Sequence, residues 1–152
     1  MHKFGKIVMT MGMLLLLSAM PLAAQVADSV FYSVVFTAPF PFYAGNVKLP
    51  AGSYSITEPE ENASTVLIQN SAGTKGEFIT FIPTTSLDSQ KKSYVTFQKY
   101  GDTGYLQTLS IEGDTDGIEF PRTKAETKAE TVAENTNKNT TVVELAMLVN
   151  GK

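Results

Sequence analysis

The sequence predicts a mainly β protein, an antiparallel sandwich or small barrel of about 7–8 strands with one short helix near the C-terminus. Three observations carry that expectation. Apolar, β-branched runs recur at roughly ten-residue spacing with turn residues between them, and no strand–helix–strand alternation appears that would build a parallel sheet. The chain has 152 residues, enough for one domain, and 43% of them are apolar, which excludes a disordered chain. It has no Cys, so no disulfide framework replaces a hydrophobic core.

The first 24 residues have the pattern of an export signal. His2, Lys3 and Lys6 form a basic head, Ile7 to Met20 is almost wholly apolar, and Pro21-Leu22-Ala23-Ala24 breaks the run with small residues. The run is shorter than the roughly 20 residues of a membrane-spanning helix. The expected domains are therefore a signal peptide over residues 1–24, cut after Ala24, and a single β domain over residues 25–152. Such a protein is exported, to the periplasm or beyond the cell, and keeps no transmembrane anchor after cleavage. Loss of Lys3 and Lys6 leaves ten basic against fifteen acidic residues, a net charge of −5. With one arginine, Arg122, and one adjacent basic pair, Lys91-Lys92, nucleic acid is not an expected partner. Cleavage also removes the single histidine, which excludes Ser-His-Asp and Cys-His catalysis and the usual zinc sites.

Val30 to Thr37 is β-branched and aromatic on both parities, as in a central strand with no assignable solvent face. Ala38 to Tyr43 holds two prolines that cannot donate to a ladder, so it is expected at an edge or as an irregular crossover. Gly45-Asn46 and Leu49-Pro50-Ala51-Gly52 are turn signals, and Ser53 to Thr57 alternates with Tyr54 and Ile56 inward. Glu58 to Asn62 interrupts the pattern, Thr65 to Gln69 resumes it, and Asn70 to Gly73 turns it into a return strand over Glu77 to Ile82. Pro83 to Lys92 is expected to be a polar loop. Ser93 to Tyr100 and Tyr105 to Ile111 then form a hairpin around Gly101-Asp102-Thr103-Gly104.

Thr123-Lys124-Ala125-Glu126 and two near-copies follow, each opening like a capping box, and they predict a helix over about 122–134. Its alanine stripe is narrow, and Glu126, Glu130 and Glu134 repel one another at i,i+4 spacing, so the helix needs a sheet to lie on. The β-branched run from Thr140 favours a last strand, over about 141–149, that returns beside the Val30 strand.

Three motifs in this chain resemble a family of small exported proteins common in acidobacteria and similar soil bacteria. They are Phe42-Tyr43-Ala44-Gly45 followed by Leu49-Pro50-Ala51-Gly52-Ser53-Tyr54, then Phe97-Gln98-Lys99-Tyr100-Gly101-Asp102-Thr103-Gly104-Tyr105-Leu106, and last Pro121-Arg122-Thr123-Lys124-Ala125-Glu126. The likeness spans residues 36–149, although the repeated Thr-Lys-Ala-Glu is simpler than the family's C-terminal helix. It implies an exported β domain and carries no catalytic or binding residue with it.

Few constellations promise chemistry, and no catalytic residue, cofactor or metal ligand is assigned. Glu112 to Glu119 gathers four carboxylates around two glycines, but Glu112 and Thr123 stand where an EF-hand needs its first and last ligands. A solvated hairpin turn is the simpler reading, with a different kind of calcium loop as the alternative. The acids Glu58, Glu60, Glu61, Asp102 and Asp114 sit on expected loops, where a hydrolase would need two of them across a cleft. Most of Phe36, Phe40, Phe42, Tyr43, Tyr54, Phe97, Tyr100 and Tyr105 should fill the core; the alternative is an exposed binding surface, for which Phe40, Phe42, Tyr43, Tyr100 and Tyr105 are the candidates. The resulting expectation is a non-enzymatic module that interacts with an unknown protein or cell-envelope component, against two alternatives. One is a small barrel holding an apolar or carbohydrate ligand, favoured by an apolar cavity; the other is a carboxylate hydrolase.

Overall fold

The computed structural model describes residues 33–59 and 64–150. The expected signal peptide, the Val30 end of the first strand, and Glu60 and Glu61 lie outside them. The described chain is mostly strand with one helix, as the sequence predicts.

β1 (Ser33–Ala38) sits between two neighbours in a five-stranded sheet, pairing antiparallel with β4 (Gly52–Thr57). Its two parities separate after all: Val34, Phe36 and Ala38 are buried while Ser33, Val35 and Thr37 face outward. β4 continues to β5 (Thr65–Asn70) and β6 (Gly76–Thr80), each antiparallel to the last. The turn after β5 is held by Asn70, whose Oδ1 accepts from the Thr74 and Lys75 amides at 2.9 and 3.0 Å. Such side-chain acceptors are why asparagine signals a turn.

The expected polar loop from Pro83 is corrected by the structure. β7 (Ile82–Thr85) follows β6 after only Phe81, and pairs with β10 (Asp116–Glu119) in the second sheet. Proline is tolerated there because β7 has a ladder on one side only. The second sheet runs β11 (Thr140–Ala146), β8 (Tyr94–Tyr100), β9 (Thr103–Ser110), β10, β7. The β8–β9 turn has Gly101 at φ +63° in its first central position, the requirement of a II′ hairpin. β2 (Phe42–Ala44) and β3 (Val47–Leu49) form a small hairpin, and β2 lies parallel to β9.

The last strand is also corrected. It is not one strand beside β1 but two, bent at buried Met147: β11 pairs with β8, and only β12 (Leu148–Asn150) pairs with β1. A nearly continuous strand thus bends from one sheet into the other at two corners, Phe81 and Met147, both buried. Counting each bent strand once, the order β12–β1–β4–β5–β6/β7–β10–β9–β8–β11 returns to its start through eight positions. The twelve segments are thus two curled, sandwich-like sheets plus the β2–β3 hairpin.

Helix α1 (Lys124–Thr136) begins two residues later than expected, because Thr123 is the N-cap and its Oγ1 accepts from the Glu126 amide at 3.2 Å. Asn137, at φ +49°, ends it. The repeats are alike in sequence but not in role. A four-residue step turns about 40° past a full helical turn, so successive glutamates move off the sheet-facing side. Glu126 is buried, Glu130 is half-buried and Glu134 is exposed, while Ala125, Ala129 and Ala133 lie against Tyr100 and Tyr105. Arg122 offsets the like charges by pairing with Glu130 at 2.7 Å and Glu126 at 3.4 Å. Among the described residues no helix is long and apolar enough to cross a membrane.

Candidate ligand-binding cleft

The space between the sheets is filled differently at its two ends. At one end aromatic rings close it: Phe42 lies 5.0 Å from Tyr54 and 5.1 Å from Phe97, both edge-on, and Phe36 lies 6.0 Å from Phe42. The Tyr54 hydroxyl donates to the Pro50 carbonyl at 2.7 Å, which ties the turn of the Leu-Pro-Ala-Gly-x-Tyr motif to the core. At the other end the inward side chains are aliphatic, and they leave a cleft of about 460 Å³.

Val34, Ile56 and Val66 form one wall, from the first sheet; Leu109, Ile111 and Ile118 form the facing wall, from the second. Phe81, at the corner between the sheets, completes the apolar lining. Alternation places the first wall: Val34, Ile56 and Val66 are each the inward member one step beyond Phe36, Tyr54 or Ile68 in the packed interior. Glu58, Asp114 and Asp116 stand on the lining as well, with Thr84 and Thr85 of β7. The Thr85 hydroxyl donates to Asp116 Oδ1 at 3.0 Å across the β7–β10 ladder.

The sequence-predicted surface lies elsewhere. Phe40 (7% exposed) and Phe42 (0%) are inside the main core. Tyr100 and Tyr105 are buried in a second cluster beneath α1, and half-buried Tyr43 stacks on Tyr105 at 5.1 Å. Four of the five rings are therefore packing groups, because a small domain needs their area and the alanine face of α1 covers the outer pair. Of the candidate acids, Glu58 and Asp114 both line the cleft; Asp102 is in the β8–β9 turn, at the far end of β9. Glu112 to Asp116 forms the turn into β10, with the Asp114 amide donating to Ile111 O at 3.2 Å. Among the described residues no group of three His, Cys, Asp or Glu side chains converges as a metal site would require.

A buried carboxylate that the sequence did not single out sits on the outer face of the second sheet. Gln107 Nε2 donates to Glu126 Oε1 at 2.9 Å, and Arg122 Nη2 donates to the Tyr100 hydroxyl at 3.2 Å. A β-bulge directs Gln107 there, since Thr96 pairs with Thr108 but Phe97 pairs with Leu106. This network docks α1.

Burial holds the Tyr54, Tyr100 and Tyr105 phenols above their ordinary value of 10.0. At Tyr100 the Glu130 charge adds to burial while the Arg122 hydrogen bond opposes it. The unfolded chain releases these protons near pH 10 and the folded one holds them, so their stabilisation is complete below pH 10 and is lost as pH rises through the raised values. The melting temperature is expected to be insensitive to them at neutral pH and to fall above about pH 10. Phenolate absorbance should show tyrosines that ionise only with unfolding; titration of all six together in a folded chain would contradict the burial described.

No protein family, curated protein or solved structure matches the chain, so the functional reading rests on this geometry.

Proposed function

We propose that this chain is an exported β module that binds an apolar ligand group in the cleft between its two sheets. The observation that carries the reading is the 460 Å³ space with aliphatic walls on both sides. Its size falls within the roughly 300–1,000 Å³ of small-molecule sites, which are mostly apolar and hold a few polar groups. Each methylene buried there contributes about 0.8 kcal/mol, so a six-carbon segment contributes about 5 kcal/mol before the losses of association. The leader pattern supports export to the periplasm or the exterior.

A partner docking on a free terminal strand has less support, since β12 is hydrogen-bonded to β1 and runs on from β11, itself bonded to β8. For a hydrolase, Glu58 and Asp114 line one cleft, but its two facing walls are Val, Ile and Leu, with polar side chains from Thr84, Thr85 and Asp116 beside them. The aliphatic walls themselves offer a sugar no hydrogen bonds and favour an alkyl or ring system instead.

Titration calorimetry of the full chain with decanol tests the reading, with a neutral naphthylamine dye as a fluorescent competitor. Saturable binding of both is expected. Ile118→Trp fills the cleft from β10 and should weaken both at least about tenfold, a loss of about 1.4 kcal/mol. Thr84→Phe, from β7, should act alike if Ile118→Trp folds poorly. Absence of binding by the wild type, or undiminished binding by folded variants, would overturn it.

A further inference from the structure

The charge around the cleft is of one sign. Glu58 enters from the end of β4, Asp114 from the turn after β9, and Asp116 from the start of β10; among the described residues no Lys or Arg lines the space. Among the described residues, the ion pairs are Lys92–Glu144, Arg122–Glu126 and Arg122–Glu130, so none engages these three acids. Lys91 and Lys92 line a neighbouring surface hollow, and Lys92 is committed to Glu144.

Three carboxylates with no cationic partner among the described residues, beside an apolar space, favour a ligand that carries its own positive charge. A bare divalent cation fits poorly, because the acids do not converge as a metal-ligating group and the aliphatic walls give it no oxygen ligands. A cation attached to an apolar tail uses both parts: the tail displaces water from Val34, Ile56, Val66 and Ile118, and the head stays hydrated near the carboxylates. Thr85 fixes one oxygen of Asp116, which orients that carboxylate before any ligand arrives. We propose that the cleft selects amphiphiles with an ammonium head on an apolar tail, an inference that rests on the cleft being a ligand site.

Three probes of matched tail, decylamine, decanol and decanoate, are titrated into the full chain near neutral pH, below their aggregation limits. Decylamine is expected to bind about tenfold tighter than decanol, and decanoate weaker than either. The amine's advantage should shrink as salt rises from about 0.01 to 0.15 M, because the screening length falls from roughly 30 to 8 Å. The triple variant Glu58→Gln, Asp114→Asn, Asp116→Asn should bring decylamine to the level of decanol and leave decanol unchanged. Equal binding of decanol and decylamine by the wild type would overturn the inference and leave the cleft reading standing. Failure of all three probes would remove the cleft reading and the inference with it. Retention of the full amine preference by the folded triple variant would also overturn the proposal, as would calcium ions alone competing fully with decylamine at equimolar concentration.

Discussion

Phe42→Ala is expected to remove about 3–5 kcal/mol of folding stability, the range for deleting a fully buried phenylalanine ring. Phe42 is 0% exposed, and although it comes from a three-residue strand it touches rings belonging to both sheets: Phe36 and Tyr54 on one side, Phe97 on the other. Its removal leaves a hole where three other rings lose a neighbour, and β2, held by its ladders to β3 and β9, cannot readily shift to fill it. Against a total of about 5–15 kcal/mol for a domain, that is a large fraction. The urea midpoint should drop with little change in slope, as it does when stability alone is altered. Phe78→Ala is the control, since Phe78 is 63% exposed on β6 and its loss should stay within about 0.5 kcal/mol. Equal effects of the two substitutions would mean that the aromatic end does not hold the sheets together.

The elements that the sequence made legible are those in which local signals agree. Ser53 to Thr57 alternates without exception and is followed by an acidic break; Asn70 to Gly73 and Gly101-Asp102 carry turn residues between β-branched runs. The two corners were not legible, because nothing local distinguishes a strand that bends between sheets from one that ends. Phe81 and Met147 look like ordinary members of apolar runs, and what makes them corners is the supply of partners on either side. The β7 strand escaped notice for the opposite reason. Pro83-Thr84-Thr85 has the composition of a loop, and its pairing depends on β10, which lies more than thirty positions away in sequence.

The bulge left a trace that could have been read: Leu106 and Leu109 both face inward although they are three residues apart, which a regular strand does not permit. The binding surface failed on a different point. Tyr105 points away from the main core, as alternation requires, so a sheet with a bare outer face would expose it. Its cover is α1, whose small alanines approach the rings closely and whose Glu126 reaches Gln107. The cleft also had a signal, a change in inward side chains along the strands. Inward residues pass from Phe36 to Val34 on β1 and from Tyr54 to Ile56 on β4; only the register of the pairing shows that both aliphatic ends fall on the same side.

Gly104→Ala is expected to destabilise the fold by about 2–3 kcal/mol, the upper part of the range for forcing extra volume into a packed core. A Cβ at position 104 would stand 2.5 Å from Phe40 Cε2 and 3.0 Å from Cδ2. The backbone has little room to retreat, since β2 runs beside this residue and the Gly104 amide donates to Pro41 O at 3.0 Å. The ring is also confined, edge-on to Phe97 at 5.6 Å with the Lys99 ammonium 4.7 Å from its centroid. If the cause is this contact, shrinking the ring should relieve it. Phe40→Leu alone should lose about 1–1.5 kcal/mol, whereas adding Gly104→Ala to it should lose less than in the parent chain. The double-mutant cycle is then expected to give a coupling of about 1–2 kcal/mol, measurable by urea unfolding of the four proteins. Additivity within about 0.5 kcal/mol would show that the two positions do not collide and that the glycine answers to its backbone alone. Coupling of the expected size would instead explain why a glycine stands between Thr103 and Tyr105 in β9: Phe40 needs the space a side chain would take.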